Sequence, residues 1–122
     1  MAIGAMNVRV WTPLGTGENS PRRGEVSDAL SSICDAAAER DFTIAIEYHG
    51  GTLTETVAST TSLLAQVTAP NLFVYWQPSY WIHGRGVQND VDDVSRLSRR
   101  LAHLHVYEWD HDRSEEHTSE LQ

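Results

Sequence analysis

The chain contains no lysine: its nine basic residues are all arginine, they face 17 acidic ones, and the formal net charge is −8. A chain of that balance repels a phosphate backbone as a whole, which argues against a nucleic-acid partner. Cysteine is almost missing too. The single Cys34 excludes an internal disulfide, and its place in the helical run SSICDAAAER makes it a small buried hydrophobe rather than a nucleophile. Proline numbers only four, and with 40% hydrophobic residues and four tryptophans the composition predicts a packed core and excludes a disordered chain. No apolar run approaches the roughly 20 residues of a membrane span, and the opening MAIGAMNVRV lacks the charged and apolar regions of a signal peptide. A soluble, cytoplasmic protein with no membrane partner is expected. Phosphate-binding loops are lacking as well: the GTG of the first loop has no following GKS or GKT, and GGT after Glu47 is too short to be specific.

The C-terminus limits how much of the chain belongs to a fold. Arg113 to Gln122, RSEEHTSELQ, matches at every position the in-frame translation of a widely used short-read sequencing adapter. The competing reading, a polar C-terminal helix started by Ser114, rests on helix propensity alone, which is a weak signal. The expected organisation is therefore one domain over 1–112 and a non-native tail over 113–122, with the gene truncated where the tail begins. Without the tail, eight basic residues still face 14 acidic ones, so the acidic character stands.

Residues 1–112 alternate between two periodicities. Asn7–Trp11 is a short β-prone run, followed by a loop rich in Gly and Pro. Val26–Arg40 reads as a helix, with Val26, Leu30, Ile33, Cys34 and Ala37 on one face. Thr43–His49 is a second strand, Leu53–Val67 a second helix closed by Pro70 and Asn71, and Leu72–Gln77 a third strand. After the long loop PSYWIHGRGVQND, a helix over Val91–Arg100 leads into the strand Leu101–Trp109. This βαβαβαβ order implies a parallel sheet with ligand sites at the C-terminal strand ends. Open doubly wound sheets and closed barrels share it. Strands of an open sheet are apolar on both faces, whereas here Ile44, Ile46 and Tyr48 oppose Ala45, Glu47 and His49, and Leu104 and Val106 oppose His103, His105 and Tyr107. Small and ionisable residues on one common face fit the interior and mouth of a barrel.

That face also collects the residues able to do chemistry. Glu47 and His49 close the second strand, Gln77 the third, and His105, Glu108 and Asp110 the fourth. Carboxylate and imidazole at neighbouring strand ends offer oxygen and nitrogen donors to one divalent metal, with positions left for substrate hydroxyls. A carboxylate inside an apolar strand is costly unless paired or coordinated, so Glu47 points to function. His103 and His111 read as structural, satisfied by hydrogen bonds. By alternation Arg9 points into the barrel with Trp11, where it could pair with Glu47 or hold a substrate oxygen. Trp76, Tyr80, Trp81 and His83, in or beside the long loop, could wall a ligand pocket or pack over the barrel mouth.

The segments VRVW, IAIEYHGGTLT, LFVYWQP and HLHVYEW, in that order and spacing, resemble the xylose-isomerase-like superfamily of sugar phosphate isomerases and epimerases. The resemblance covers nearly all of Met1 to Asp112. It implies a partial (β/α)8 TIM barrel whose four βα units correspond to strands four to seven, the first three and the last being missing. It also implies one divalent metal, manganese, magnesium, cobalt or zinc, held by residues at four strand ends. Carried over, the fifth-strand Glu is Glu47 and the seventh-strand His is His105. The sixth-strand Asp is here Gln77, which brings a neutral carbonyl oxygen in place of a charge, and a His often found three residues later is here Tyr80.

The implied chemistry is proton transfer next to a sugar carbonyl, with Glu47 as one of two catalytic carboxylates and Arg9, His49, Trp76 and Tyr80 binding a small sugar or sugar-phosphate substrate. Two rivals differ in class. An abasic-site endonuclease of the same superfamily would need a three-metal cluster and a basic groove, against which the acidic balance and Gln77 argue. A non-catalytic barrel that has lost its metal is the other. The outer strands NVRVW and LAHLHVYEW also leave unpaired edges that invite self-association.

The tail is expected to make few apolar contacts with the rest of the chain. Leu121 is its one clearly apolar residue, too little to offset an ordering cost of about 1–2 kcal/mol per residue. Deleting 113–122 should leave the thermal midpoint within about 3 °C of the parent chain. A larger fall in a melting experiment would place the tail in the packed structure.

Overall fold

The computed structural model describes residues 6–12 and 19–105, together with the backbone of 107–108 and 119–120. The alternation read from the sequence sets the two faces of its sheet. Ile44, Ile46, Leu72, Val74 and Trp76 are buried on one side, under helices, while Phe73 and Tyr75 are half-buried on the other. The strands are β1 (Asn7–Val10), β2 (Thr43–Glu47), β3 (Leu72–Trp76) and β4 (Leu101–Leu104). Between them run α1 (Arg23–Ala38), α2 (Val57–Val67) and α3 (Val87–Leu97), the last continuing into a 3-10 turn at Ser98–Arg100. A short antiparallel pair follows, β5 (Tyr107–Glu108) with β6 (Ser119–Glu120). Most of the tail, 113–118 and 121–122, lies outside the described residues, as do His111 and Asp110.

All pairings in the main sheet are parallel and the strand order is β1-β2-β3-β4. With no reversal of order, right-handed crossovers put every helix on the same face. A doubly wound sheet would need a reversal. The result is half of a barrel wall, a partial (β/α)8 barrel whose four parallel strands are joined by three helices. Its core lies between sheet and helices, where Val26, Leu30, Cys34 and Ala37 of α1 and Leu63, Leu64 and Val67 of α2 meet Ile44, Ile46, Leu72 and Val74. Cys34 is free and buried there, and burial pushes its thiol pKa up.

Helix starts are set by local hydrogen bonds more than by periodicity. α2 begins at Val57 rather than Leu53 because the Thr56 side chain accepts the Ser59 backbone N–H at 3.0 Å, an N-cap. The residues before it are held in a loop. α1 and α3 start earlier than the apolar pattern alone suggests. Asn89 reaches back to the Gly86 N–H at 2.9 Å, opening α3 at Val87. Asn71, before β3, donates its amide to the carbonyls of Cys34 at 2.9 Å and Phe42 at 3.2 Å, tying the third strand to the preceding βα unit. β4 ends at Leu104, short of the expected Trp109, and its register against β3 shifts between Val74 and Tyr75 so that His103 pairs with Tyr75.

Tyr48, just past β2, is 1% exposed, and burial pushes its phenol from 10.0 up to about 12, a rise that the hydrogen bond from the Ser79 hydroxyl at 3.0 Å only partly opposes. The folded pKa therefore exceeds the unfolded one, so the phenol favours folding below pH 10 and this contribution disappears as pH rises from 10 to 12. The expected loss is about 2–3 kcal/mol across that window. Denaturant melts of the parent and Tyr48→Phe should diverge there; parallel pH profiles would show that Tyr48 ionises as freely folded as unfolded.

Candidate functional site

The interior face of the half-barrel carries a row of polar and aromatic side chains that crosses all four strands. Glu47, at the end of β2, is 6% exposed, and its two oxygens have different neighbours. Oε1 lies 3.4 Å from Arg9 Nη1 of β1 but has no hydrogen-bond donor among the described residues, whereas Oε2 accepts from Gln77 Nε2 at 3.4 Å. Gln77, also buried, donates to the Tyr48 carbonyl at 3.0 Å. Arg9 lies over the Tyr75 ring, 4.8 Å from its centroid, in cation–π geometry. The same ring contacts His103 at 5.4 Å and His105 at 6.2 Å between centroids. His105 is fixed at the end of β4 by its backbone N–H, which donates to the Trp76 carbonyl at 2.7 Å. The row thus runs Arg9, Glu47 with Gln77, Tyr75, then His103 and His105.

A second group sits at the mouth, around His49. Its ring is flanked by Trp11, at a centroid distance of 4.6 Å, and by Trp81, stacked at 5.7 Å. Nδ1 lies 2.8 Å from the Gly50 carbonyl, which can only accept, so Nδ1 carries a proton, and Nε2 lies 3.4 Å from the Tyr80 hydroxyl. The loop below is closed by hydroxyls. Thr54 donates to the Glu47 carbonyl and Thr52 to the His49 carbonyl, both at 2.7 Å, and Thr12 accepts the Leu53 N–H at 3.1 Å. Trp81 is pinned through its indole N–H to the Glu55 carbonyl at 2.9 Å. The long loop is fastened in turn by the ion pair of Arg85 with buried Asp93 on α3. Burial raises the pKa of nearby Asp90, against the opposing pull of Arg85.

The structure brings Arg9, Glu47 and Gln77 together, puts His105 on the same face across Tyr75, and groups His49 with Tyr80 beside them. Trp76 goes elsewhere. It packs on the helix side with Tyr48, ring centroids 6.3 Å apart, because a residue one place before Gln77 must face the opposite way. His83 is exposed. Among the described residues no three His, Cys, Asp or Glu side chains converge as a metal cluster.

A family profile described as Xylose isomerase-like TIM barrel matches residues 2–119. The chain belongs to this family. Among solved structures the barrel is similar to the probable 3-DHS dehydratase AsbF of Bacillus anthracis, with 26% identity and a TM-score of 0.76, covering 88% of this chain and 39% of that one. In fold it is also similar to D-allulose 3-epimerase from Methylomonas sp. (20% identity, TM-score 0.67, 83% and 38% covered) and to 3-keto-D-glucoside 4-epimerase from E. coli (17%, 0.67, 88% and 45%). The chain spans less than half the length of each. No curated protein matches it in sequence.

Within the barrel face, Tyr75 is the residue that sequence reasoning missed. It stands two places before Gln77 and shares its face, whereas Trp76 between them faces the helices.

Gly50 allows the mouth to close. A Cβ there would come 2.6 Å from Trp81 Cγ, and Trp81 is held by its own hydrogen bond. Gly50→Ala is expected to cost about 1–3 kcal/mol and to change tryptophan fluorescence as Trp81 leaves the His49 ring. A variant with the parent's melting point and emission spectrum would mean that the two do not touch.

Proposed function

We propose that the complete barrel to which these βα units belong is a sugar or sugar-phosphate isomerase or epimerase, moving a proton next to a carbonyl with Glu47. The observation that supports this is the Glu47 carboxylate itself. It is buried at the C-terminal end of a central strand, with Oε2 held by an amide and Oε1, beside Arg9, lacking a hydrogen-bond donor among the described residues. The charge there is met by the half-exposed Arg9 guanidinium at ion-pair distance, while the lone pairs of that oxygen take no donor and remain for a bound cation.

Glu47 and His105 fit a divalent metal by donor type, and such an ion, when bound, supplies Lewis acidity to a substrate carbonyl and its neighbouring hydroxyl. The chain's own groups supply the rest. Glu47 exchanges the proton at the carbon beside the carbonyl. Arg9, half exposed and steadied by Tyr75, is placed to hold a substrate oxygen. His49 and Tyr80, with Trp11 and Trp81, wall the mouth and exclude water around a sugar ring. Nucleic acid is disfavoured as a partner by the net charge of −8. The outer edges of β1 and β4 are the surfaces through which the chain would self-associate.

A dehydratase is the second reading, favoured by the 26% identity with the probable 3-DHS dehydratase. In it, removal of the proton ends in loss of water instead of return of the proton.

The test uses a full-length relative carrying the residues of these four units, assayed with manganese on ketoses, aldoses and 3-dehydroshikimate. Glu47→Gln is expected to lower turnover by about 100- to 10,000-fold, and the 122-residue chain to show no useful isomerase activity. Undiminished turnover in Glu47→Gln would remove Glu47 from the chemistry, and turnover of 3-dehydroshikimate alone would establish the second reading.

A further inference from the structure

The family resemblance gives the position of Gln77 to a metal-ligating Asp, yet the hydrogen bonds around Gln77 describe a different part. Its Nε2 lies 3.0 Å from the main-chain carbonyl of Tyr48 and 3.4 Å from Glu47 Oε2. A carbonyl and a carboxylate both accept only, so both neighbours require N–H groups, and the two hydrogens of the amide supply one to each. Turning the amide over would set its oxygen against two acceptors in a site where the side chain is only 4% exposed. Substituting Asp by Gln at this point does more than remove a charge; it turns an acceptor into a donor.

We infer that Gln77 is a positioning residue, which holds Glu47 through an amide bridge to the Tyr48 carbonyl, and is not itself a ligand of a cation at Glu47. The bridge links consecutive residues of one chain segment, since Tyr48 follows Glu47. It fixes Oε2 and leaves Oε1, which is buried and among the described residues has no hydrogen-bond donor, as the oxygen facing Arg9. A cation bound at Glu47 then meets that oxygen, with Arg9 as the charge it displaces. The inference rests on reading Glu47 as the site's carboxylate.

The test follows the 122-residue chain by NMR, with isotope labels on the Gln77 side-chain amide and the Glu47 carboxyl carbon, during titration with magnesium. The Gln77 amide protons are expected to exchange slowly with solvent and to stay protected as magnesium is added, while the Glu47 signal moves. Exchange at the rate of an exposed glutamine, or protection lost on adding magnesium, would overturn the inference. Gln77→Leu, which removes the donor without adding charge, should shift the Glu47 carboxyl signal in the metal-free chain; an unmoved signal counts against positioning. Gln77→Glu, which sets oxygen against both acceptors, should lower the thermal midpoint at neutral pH by more than about 5 °C, whereas a ligand at this position would tolerate the change. A Glu47 signal indifferent to magnesium, with the amide still protected, would remove the cation and leave the positioning role standing.

Discussion

A carboxylate buried at the end of a central β-strand is the constraint around which this half-barrel is arranged. Desolvating Glu47 is unfavourable unless its charge and lone pairs are met, and each neighbouring strand contributes to meeting them. β1 supplies the guanidinium of Arg9, and the segment after β3 supplies the amide of Gln77. Tyr75, paired with Glu47 in register, offers its ring face to the same guanidinium. The strands are held in order by their ladders and helix-side core, but what they carry on the inner face is chosen to suit one anion. The chemistry proposed for the barrel rests on the same fact, because the oxygen that lacks a donor among the described residues is the one to which that chemistry is assigned.

The loop after β2 shows how a backbone can be kept rigid without regular structure. Thr52, Thr54 and Thr12 use short hydroxyls to satisfy carbonyls and an N–H that strand or helix would otherwise have paired. Side chains of that length hold the segment close to the strand end it caps, and the His49 ring is fixed between Trp11 and Trp81 above it. The mouth is thus aromatic and braced, while the interior row is polar and open on the side away from the helices.

Much of this was legible in the sequence, for identifiable reasons. Period-two alternation in TIAIEYH placed Glu47 and His49 on the inner face and Ile44 and Ile46 under the helices, because that period is a geometric property of any strand. The same rule, carried from Gln77, points to Tyr75 on the inner face and turns Trp76 toward the helices. Helix starts were less legible. Thr56 opens α2 through a single capping bond, and no periodicity announces that the apolar Leu53 before it belongs to a loop held by hydroxyls. The role of Gln77 was hidden for another reason. Residue identity gives an amide both donors and an acceptor, and only the position of the Tyr48 carbonyl decides which end faces the carboxylate.

Asn71 bears on how such a wall comes to be assembled. Its one amide group bridges the end of α1 and the turn into β2, although it belongs to the segment that opens β3. The place of the third strand is thus tied to two carbonyls of the preceding unit, one in α1 and one at the entry to β2. An opening that separates β3 from the preceding unit must break both of these bonds, which couples the two units.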